Sequence, residues 1–304
     1  MLMARYFIAS LLIIIVSIAA GSDLRAGEPI TSAKGKGIIA IYGGSARATS
    51  YYNIRGVLRR YDTLNTDFVV TTFGLWGNYG LTDDLQLDFD MPVNYCGISS
   101  EDRFPDRSIF QLAYIGVGGT YQITRGALNS SLSAMAKIPA GFHRGIYDDP
   151  EHPSFLSDGM FQVTTSLNLG FTYDKVWVKG SAAYNWRDEE PLDEILYALE
   201  VGLSKIEGTG IFVGCSGVVS TGDVTMPLRP FYAGASGDAV ELGRYDGGTG
   251  RFSTIDRENF LAVNAGAYVD IFDQLVVSGK YTVRLLGTNS LALQGAYLGV
   301  GYKF

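Results

Sequence analysis

Residues 85–95 read LQLDFDMPVNY. Apolar side chains take every second place, at Leu85, Leu87, Phe89, Met91, Val93 and Tyr95, with Gln86, Asp88, Asp90, Pro92 and Asn94 between them. A period of two describes a β-strand with one oily face and one wet, partly acidic face. In a soluble sandwich the oily face is the core and the aspartates meet bulk water. In a membrane barrel the oily face meets lipid and the aspartates face an enclosed lumen. The rest of the chain decides between the two.

The same alternation runs through 68–80, 128–142, 161–173, 176–186, 275–285 and 292–304, and less regularly through 37–45, 108–123, 196–205, 211–219 and 260–271. In 108–123 the parity is the least clear, and Phe110, Leu112 and Tyr114 are set on one face opposite Gln111. With the opening stretch this makes twelve strands. Each has about the 9–11 residues that a tilted membrane strand needs, or a little more. The connections GLTDDL (80–85), TRGAL (124–128), YDKV (173–176), KIEGTG (205–210) and FDQL (272–275) are short. Those over 47–66, 96–107, 143–159, 187–195 and 220–258 are longer, and only GTNS (287–290) departs from the pattern. Short turns at one end and long loops at the other predict an all-β, antiparallel up-and-down barrel of the outer-membrane type. An even strand count puts both ends of the barrel sequence on the short-turn, periplasmic side.

The first residues agree. Arg5 precedes an uncharged apolar run, Tyr6–Ala20, followed by small residues at Ala19, Ala20, Gly21 and Ser22. This is the pattern of a secretory signal peptide, expected over 1–21 with cleavage between 19 and 26. Residues 22–36 then form a short periplasmic segment, too small for a folded plug domain, and 37–304 the barrel. The chain has a net charge of −7, only 18% charged residues, 12% aromatics and 38 glycines. Low charge with many aromatics suits a β-protein with a large apolar surface, and the acidic balance argues against a nucleic-acid partner. Cys96 and Cys215 fall on strands three and nine, on opposite sides of a closed barrel, and are expected to be unpaired. Their spacing offers no metal site, and no cofactor is expected.

At the carboxyl end, Phe304, Tyr302, Val300, Leu298 and Ala296 alternate with small or charged residues. Tyr302 and the final Phe304 resemble the signal read by the bacterial barrel-assembly machinery. Aromatics also gather at strand ends. Tyr79, Phe171, Tyr173, Trp177 and Phe272 lie at the short-turn end; Tyr95, Phe110, Phe142, Phe161, Tyr184, Trp186 and Phe260 lie at the other. Two interfacial girdles are expected from them.

Assigning the apolar faces to lipid sends Asp88, Asp90, Asn94, Lys137, Asn168, Lys179, Glu200, Asn264, Lys280 and Arg284 to the lumen. The assignment has force, because Arg or Lys facing lipid at mid-bilayer costs about 2–4 kcal/mol. Both signs are present, so the charges either pair into a network that fills the lumen or line a wet passage. Loop 220–258 mixes Met226, Leu228, Phe231 and Tyr232 with many glycines. It either folds inward as a gate or covers the surface. The two histidines, His143 and His152, sit in GFHRGIYDDPEHPS beside Asp148, Asp149 and Glu151. Such a pair could form a base with its orienting carboxylate, but a Gly/Pro loop fixes no such geometry, and a solvated rim is the expectation. No enzyme activity is expected.

The stretch YGLTDDLQLDFDMPVNY (79–95) resembles an outer-membrane family associated with transport in the meta pathway of phenol degradation (MetA-type). The matching residues are Tyr79, Gly80, Leu81, Thr82, Asp83 and Pro92, and AMAKIPAGF (134–142) is similar to a second recurring stretch of that family. The resemblance implies a barrel that passes small solutes, aromatic or hydrophobic, and assigns no residue to a solute. Together these features predict an outer-membrane channel whose partners are membrane lipid, the assembly machinery and a small-molecule solute. A structural or surface-interaction barrel with a closed lumen is the main alternative, and a loop-borne hydrolase a lesser one.

Overall fold

Twelve antiparallel strands form the structure, a computed structural model. They are β1 (Gly37–Ala48), β2 (Thr66–Gly80), β3 (Leu85–Ser100), β4 (Arg107–Leu112 continuing as Tyr114–Thr124), β5 (Leu128–Pro139), β6 (Gln162–Tyr173), β7 (Val176–Arg187), β8 (Glu194–Ile206), β9 (Thr209–Ser220), β10 (Asn259–Ile271), β11 (Leu275–Thr288) and β12 (Gln294–Lys303). The structure describes residues 30–304 except 53–55, 57, 61–65, 101–106, 141–160, 189–192, 207, 222–230, 233–238, 241–244, 247–250, 253–258, 273 and 289. The leader expected over 1–21 therefore lies outside the described residues, as do His143 and His152.

Each strand pairs with the next, and β12 pairs with β1, so the sheet closes into a barrel and leaves no edge. Among the described residues no helix is long and apolar enough to cross a membrane. The crossing is by strands, whose outer faces form an apolar wall. On β3, Leu85 and Leu87 are exposed on the outside, while Gln86, Asp88 and Asp90 are buried inside. The opening stretch thus has lipid on its oily side and the lumen on its wet side.

The seam between β12 and β1 is a ladder from Ile38 opposite Lys303 to Arg47 opposite Gln294, and Phe304 extends it. Gly37 N–H donates to the Phe304 carbonyl at 3.1 Å, and Phe304 N–H returns the bond to Gly37 at 3.0 Å. The Phe304 ring stacks on Tyr79, with centroids 6.4 Å apart and planes 14° apart. A side chain at Gly37 would meet that ring at 2.8 Å.

Three aromatic placements differ from expectation. Tyr114 faces the lumen, not lipid. Asp90 pairs with Gly116 and Val93 with Leu112, so three steps along β3 span four along β4. The extra residue is Ala113, and this bulge flips the parity of everything after it. Trp177 and Phe260, expected in the girdles, also face inward: Trp177 shares its face with Lys179, and Phe260 is the register partner of the buried Val218. Strand-end position suggested a girdle, but parity decides the face.

Cys215 is a free thiol on the outer face of β9, between Leu199 and Val263. Cys96 lies on β3, and its side chain is outside the described residues. Loop 220–258 carries two short hairpins among its described residues, Phe231–Tyr232 with Ala239–Val240 and Tyr245–Asp246 with Arg251–Phe252. Met226 and Leu228 lie outside the described residues, as do the side chains of Phe231 and Tyr232.

Candidate functional site in the barrel lumen

All of the charged and amide residues assigned to the lumen from sequence have inward parity in the observed registers. They divide between two unlike walls.

The first wall runs from β3 to β7 and is polar and packed. Asp88 is 3% exposed and Asp90 1%. Asp88 accepts from Gln86 Nε2 at 2.7 Å and from the Thr120 hydroxyl at 2.7 Å. Thr120 has one proton, so the Ser133 hydroxyl 2.8 Å away is the donor to Thr120. Asp90 accepts from the Tyr42 hydroxyl on one oxygen and the Tyr114 hydroxyl on the other, both at 2.8 Å. Tyr114 reaches Asp90 only because the Ala113 bulge turned it inward. Lys137 is buried and stands 5.2 Å from the Tyr114 ring centroid, within cation–π range. Asn168 is fully buried and donates to Ser133 at 3.1 Å. Near the outer end, Arg187 and Glu194 form an ion pair at 3.2 Å. Buried polar groups persist when their bonds are satisfied; the carboxylates of this wall are hydrogen-bonded, while Asn168 Oδ1 has no hydrogen-bond partner among the described residues.

The periplasmic end of this wall holds the segment that precedes β1. Thr31 N–H donates to Gln122 Oε1 at 2.7 Å, and Ser32 N–H donates to Gln86 Oε1 at 2.8 Å. The Ser32 hydroxyl donates to Asn78 Oδ1 at 2.8 Å. Gln86, Asn78 and Gln122 all point into the barrel, so residues 31–32 lie inside its mouth, against β2, β3 and β4. The Thr31 hydroxyl donates to the Asp83 carbonyl and accepts from Arg125 Nη2, each at 2.8 Å. Lys34 N–H donates to Asp83 Oδ1 at 3.0 Å. The YGLTD stretch thereby gains a physical role. Gly80 lies directly beneath this segment, where a side chain would stand 2.2 Å from the Ala33 carbonyl oxygen. Thr82 closes the turn by accepting from the N–H groups of Asp84 and Leu85, and Asp83 holds the segment.

The second wall, from β7 through β12 to β1, is aromatic and basic. Trp177 lies over Gly202, Phe212 over Gly266, Tyr268 over Gly210 and Tyr297 over Gly44, each aromatic being the direct cross-strand partner of its glycine. A ring spread over a glycine needs the missing Cβ, so these glycines are seats for rings. Lys179 Nζ stands 5.2 Å from the Trp177 ring centroid, and the Arg284 guanidinium 3.8 Å from that of Phe260. Lys179 and Glu200 are direct register partners. Unlike Asp88 and Asp90, the side chains of Lys179, Glu200, Lys280 and Arg284 are partly exposed to the lumen. Above them Ala183, Leu196 and Val218 form an inward apolar patch against which Phe260 packs. At the periplasmic end of this wall Lys303 pairs with Asp270 at 2.9 Å, and Ser204 shares a hydrogen bond with Tyr268.

No family model matches the sequence, and no curated protein matches it. Among solved structures it is similar to the COG4313 outer membrane channel from Pseudomonas putida F1, at 15% identity and a TM-score of 0.66. That likeness covers 91% of this chain and 98% of the other. The fold is that of an outer-membrane barrel. The translocator domain of the autotransporter NalP from Neisseria meningitidis is a looser likeness, at 10% identity and a TM-score of 0.48 over 90% of each chain. The turns at 81–84, 125–127 and 174–175 lie at one end of this barrel, and the segment bound by Gln86 and Gln122 sits in the mouth at that end.

Sequence reasoning assigned the lumen charges by face but missed the rings among them. Tyr42, Trp76, Trp177, Phe212, Tyr268 and Tyr297 share strand parity with inward polar groups, and the pairing of all but Trp76 with a glycine depends on register. A second signal was available on one strand: Trp177 and Lys179 are two residues apart.

Proposed function

We propose that this protein is a channel of the bacterial outer membrane through which small solutes diffuse. The observation that carries the reading is the asymmetry of the lumen. One wall is a closed polar network, while the other presents partly exposed Lys179, Glu200, Lys280 and Arg284 among aromatic rings. Solute passes along the second wall. The resemblance to the MetA-type family supports small aromatic or hydrophobic compounds as the cargo. The segment at 31–34 narrows the periplasmic mouth, and the gating role at the other mouth is assigned to loop 220–258, with Met226, Leu228, Phe231 and Tyr232. The role is passage and not chemistry. Tyr302 and Phe304 serve assembly, since Phe304 closes the seam with Gly37.

A second reading, a closed structural or surface-interaction barrel, draws on the buried state of Asp88, Asp90 and Lys137 and on the occupied periplasmic mouth. Single-channel recording in a planar bilayer separates the two. The channel reading expects discrete conductance from the full chain, larger when residues 22–34 are deleted. Silence from both proteins, each shown to be folded by heat-modifiable gel mobility, excludes it.

A further inference from the structure

One hydrogen-bonding row crosses the second wall. Trp177 pairs with Gly202, Gly202 with Phe212, Phe212 with Gly266, Gly266 with Lys280, Lys280 with Tyr297, and Tyr297 with Gly44. Along it aromatic and glycine alternate, with one lysine set between Gly266 and Tyr297. Each ring covers the glycine beside it, at 2.2 Å for Trp177, 2.4 Å for Phe212 and 2.1 Å for Tyr297 from where a Cβ would stand. The rings therefore lie close against the wall at this row. Strands in a barrel are tilted, so a row perpendicular to them climbs the wall. This one starts at the second residue of β7, next to the periplasmic turn, and reaches the eighth residue of β1. It is a rising track of rings.

We infer that this row is a stacking track for planar ring-bearing organic anions, with aromatic carboxylates as the class it takes. This rests on the channel reading above and names the solute class of that site. Ring faces attract flat π-systems and apolar edges, and a solute moving from Trp177 to Phe212 keeps ring contact, since their centroids are 6.1 Å apart. The charge along the path is net positive, with three cations against Glu200, the register partner of Lys179. Lys179 stands over Trp177, Lys280 is in the row itself, and Arg284 is two inward positions above Lys280 on β11, after Thr282. A cation beside a ring face fits a carboxylate attached to a ring: the ring stacks while the charge meets the ammonium group. A neutral ring uses half of this arrangement, and a non-planar anion the other half.

The test uses the full chain in detergent micelles and in planar bilayers, with benzoate, cyclohexanecarboxylate and benzyl alcohol as probes. Trp177 fluorescence, read in a background carrying Trp76→Phe and Trp186→Phe, reports binding. Benzoate is expected to saturate the signal at roughly fivefold lower concentration than cyclohexanecarboxylate, the size of a ring–ring preference. Phe212→Leu is expected to abolish that preference while leaving cyclohexanecarboxylate unchanged. Lys280→Gln is expected to weaken both anions by up to roughly fivefold, the size of a solvent-screened charge pair. Equal half-saturation by benzoate and cyclohexanecarboxylate overturns the track, and so does benzyl alcohol binding as tightly as benzoate. Failure of the channel reading looks different. Benzoate binding without conductance removes the channel and keeps the track, whereas conductance without benzoate binding removes the track and keeps the channel.

Discussion

The Ala33 carbonyl lies against Gly80, so close that a Cβ on Gly80 would stand 2.2 Å from its oxygen. The glycine of the YGLTD stretch is thus the floor on which the N-terminal segment rests. Replacing it separates the segment from the barrel without touching either lumen wall. Gly80→Ala is expected to displace residues 31–34 from the periplasmic mouth and raise single-channel conductance. Arg125→Ala, which removes the donor to the Thr31 hydroxyl, should act in the same direction. Unchanged conductance in both folded variants would show that the segment does not restrict the path.

Asp88 is a structural residue in this account. Asp88→Leu strands Gln86 Nε2 and the Thr120 hydroxyl inside the barrel wall. A buried donor left without a partner costs about 1–3 kcal/mol. Chemical unfolding in micelles should show a loss of that order for each stranded donor. Asp88→Asn keeps an accepting oxygen and should lose less. A Leu variant as stable as the parent would contradict the packed-wall description.

Much of this was legible in the sequence, and the limits were physical. The period of two in 85–95 fixes which side of β3 is wet, because slipping by one residue would put Asp88 and Asp90 in lipid. The alternation of turn lengths fixes the topology. Tyr114 was misplaced because a bulge is one extra residue, and Ala113 carries no sign of it. Trp177 and Phe260 were misplaced because aromatics suit both an interface and a lumen. The glycine seats were invisible for another reason: Trp177 and Gly202 are 25 positions apart and meet only in the observed register. The hydrogen-bond donors to Asp88 and Asp90 named above, a glutamine, a threonine and two tyrosines, are uncharged groups that a search for countercharges passes over.

The charge of the second wall should set ion selectivity. Lys280 and Lys179 face the proposed path, so Lys280→Gln and Lys179→Gln each remove a positive charge from it. Reversal potentials in a salt gradient should shift toward cation preference, further in the double variant, and the shift should shrink at high salt as screening shortens its range. A double variant with the parent's reversal potential would place the ion path elsewhere.

The seam predicts an assembly defect. Deleting Phe304 removes both its backbone bonds to Gly37 and its stacking on Tyr79. The heat-modifiable fraction in outer membranes should fall, while Phe304→Tyr, which keeps ring and backbone, should largely restore it. Equal assembly of the deletion and the parent would remove the terminal residue from any role in closure.

The central claim is that the barrel conducts along its aromatic and basic wall. The most direct measurement is single-channel current from the full chain in a planar bilayer, compared with Lys280→Trp, which places a bulky ring in the middle of the row. Discrete openings are expected in the parent and a markedly reduced current in the variant. Parent and variant conducting equally, or a folded parent that never opens, would contradict it.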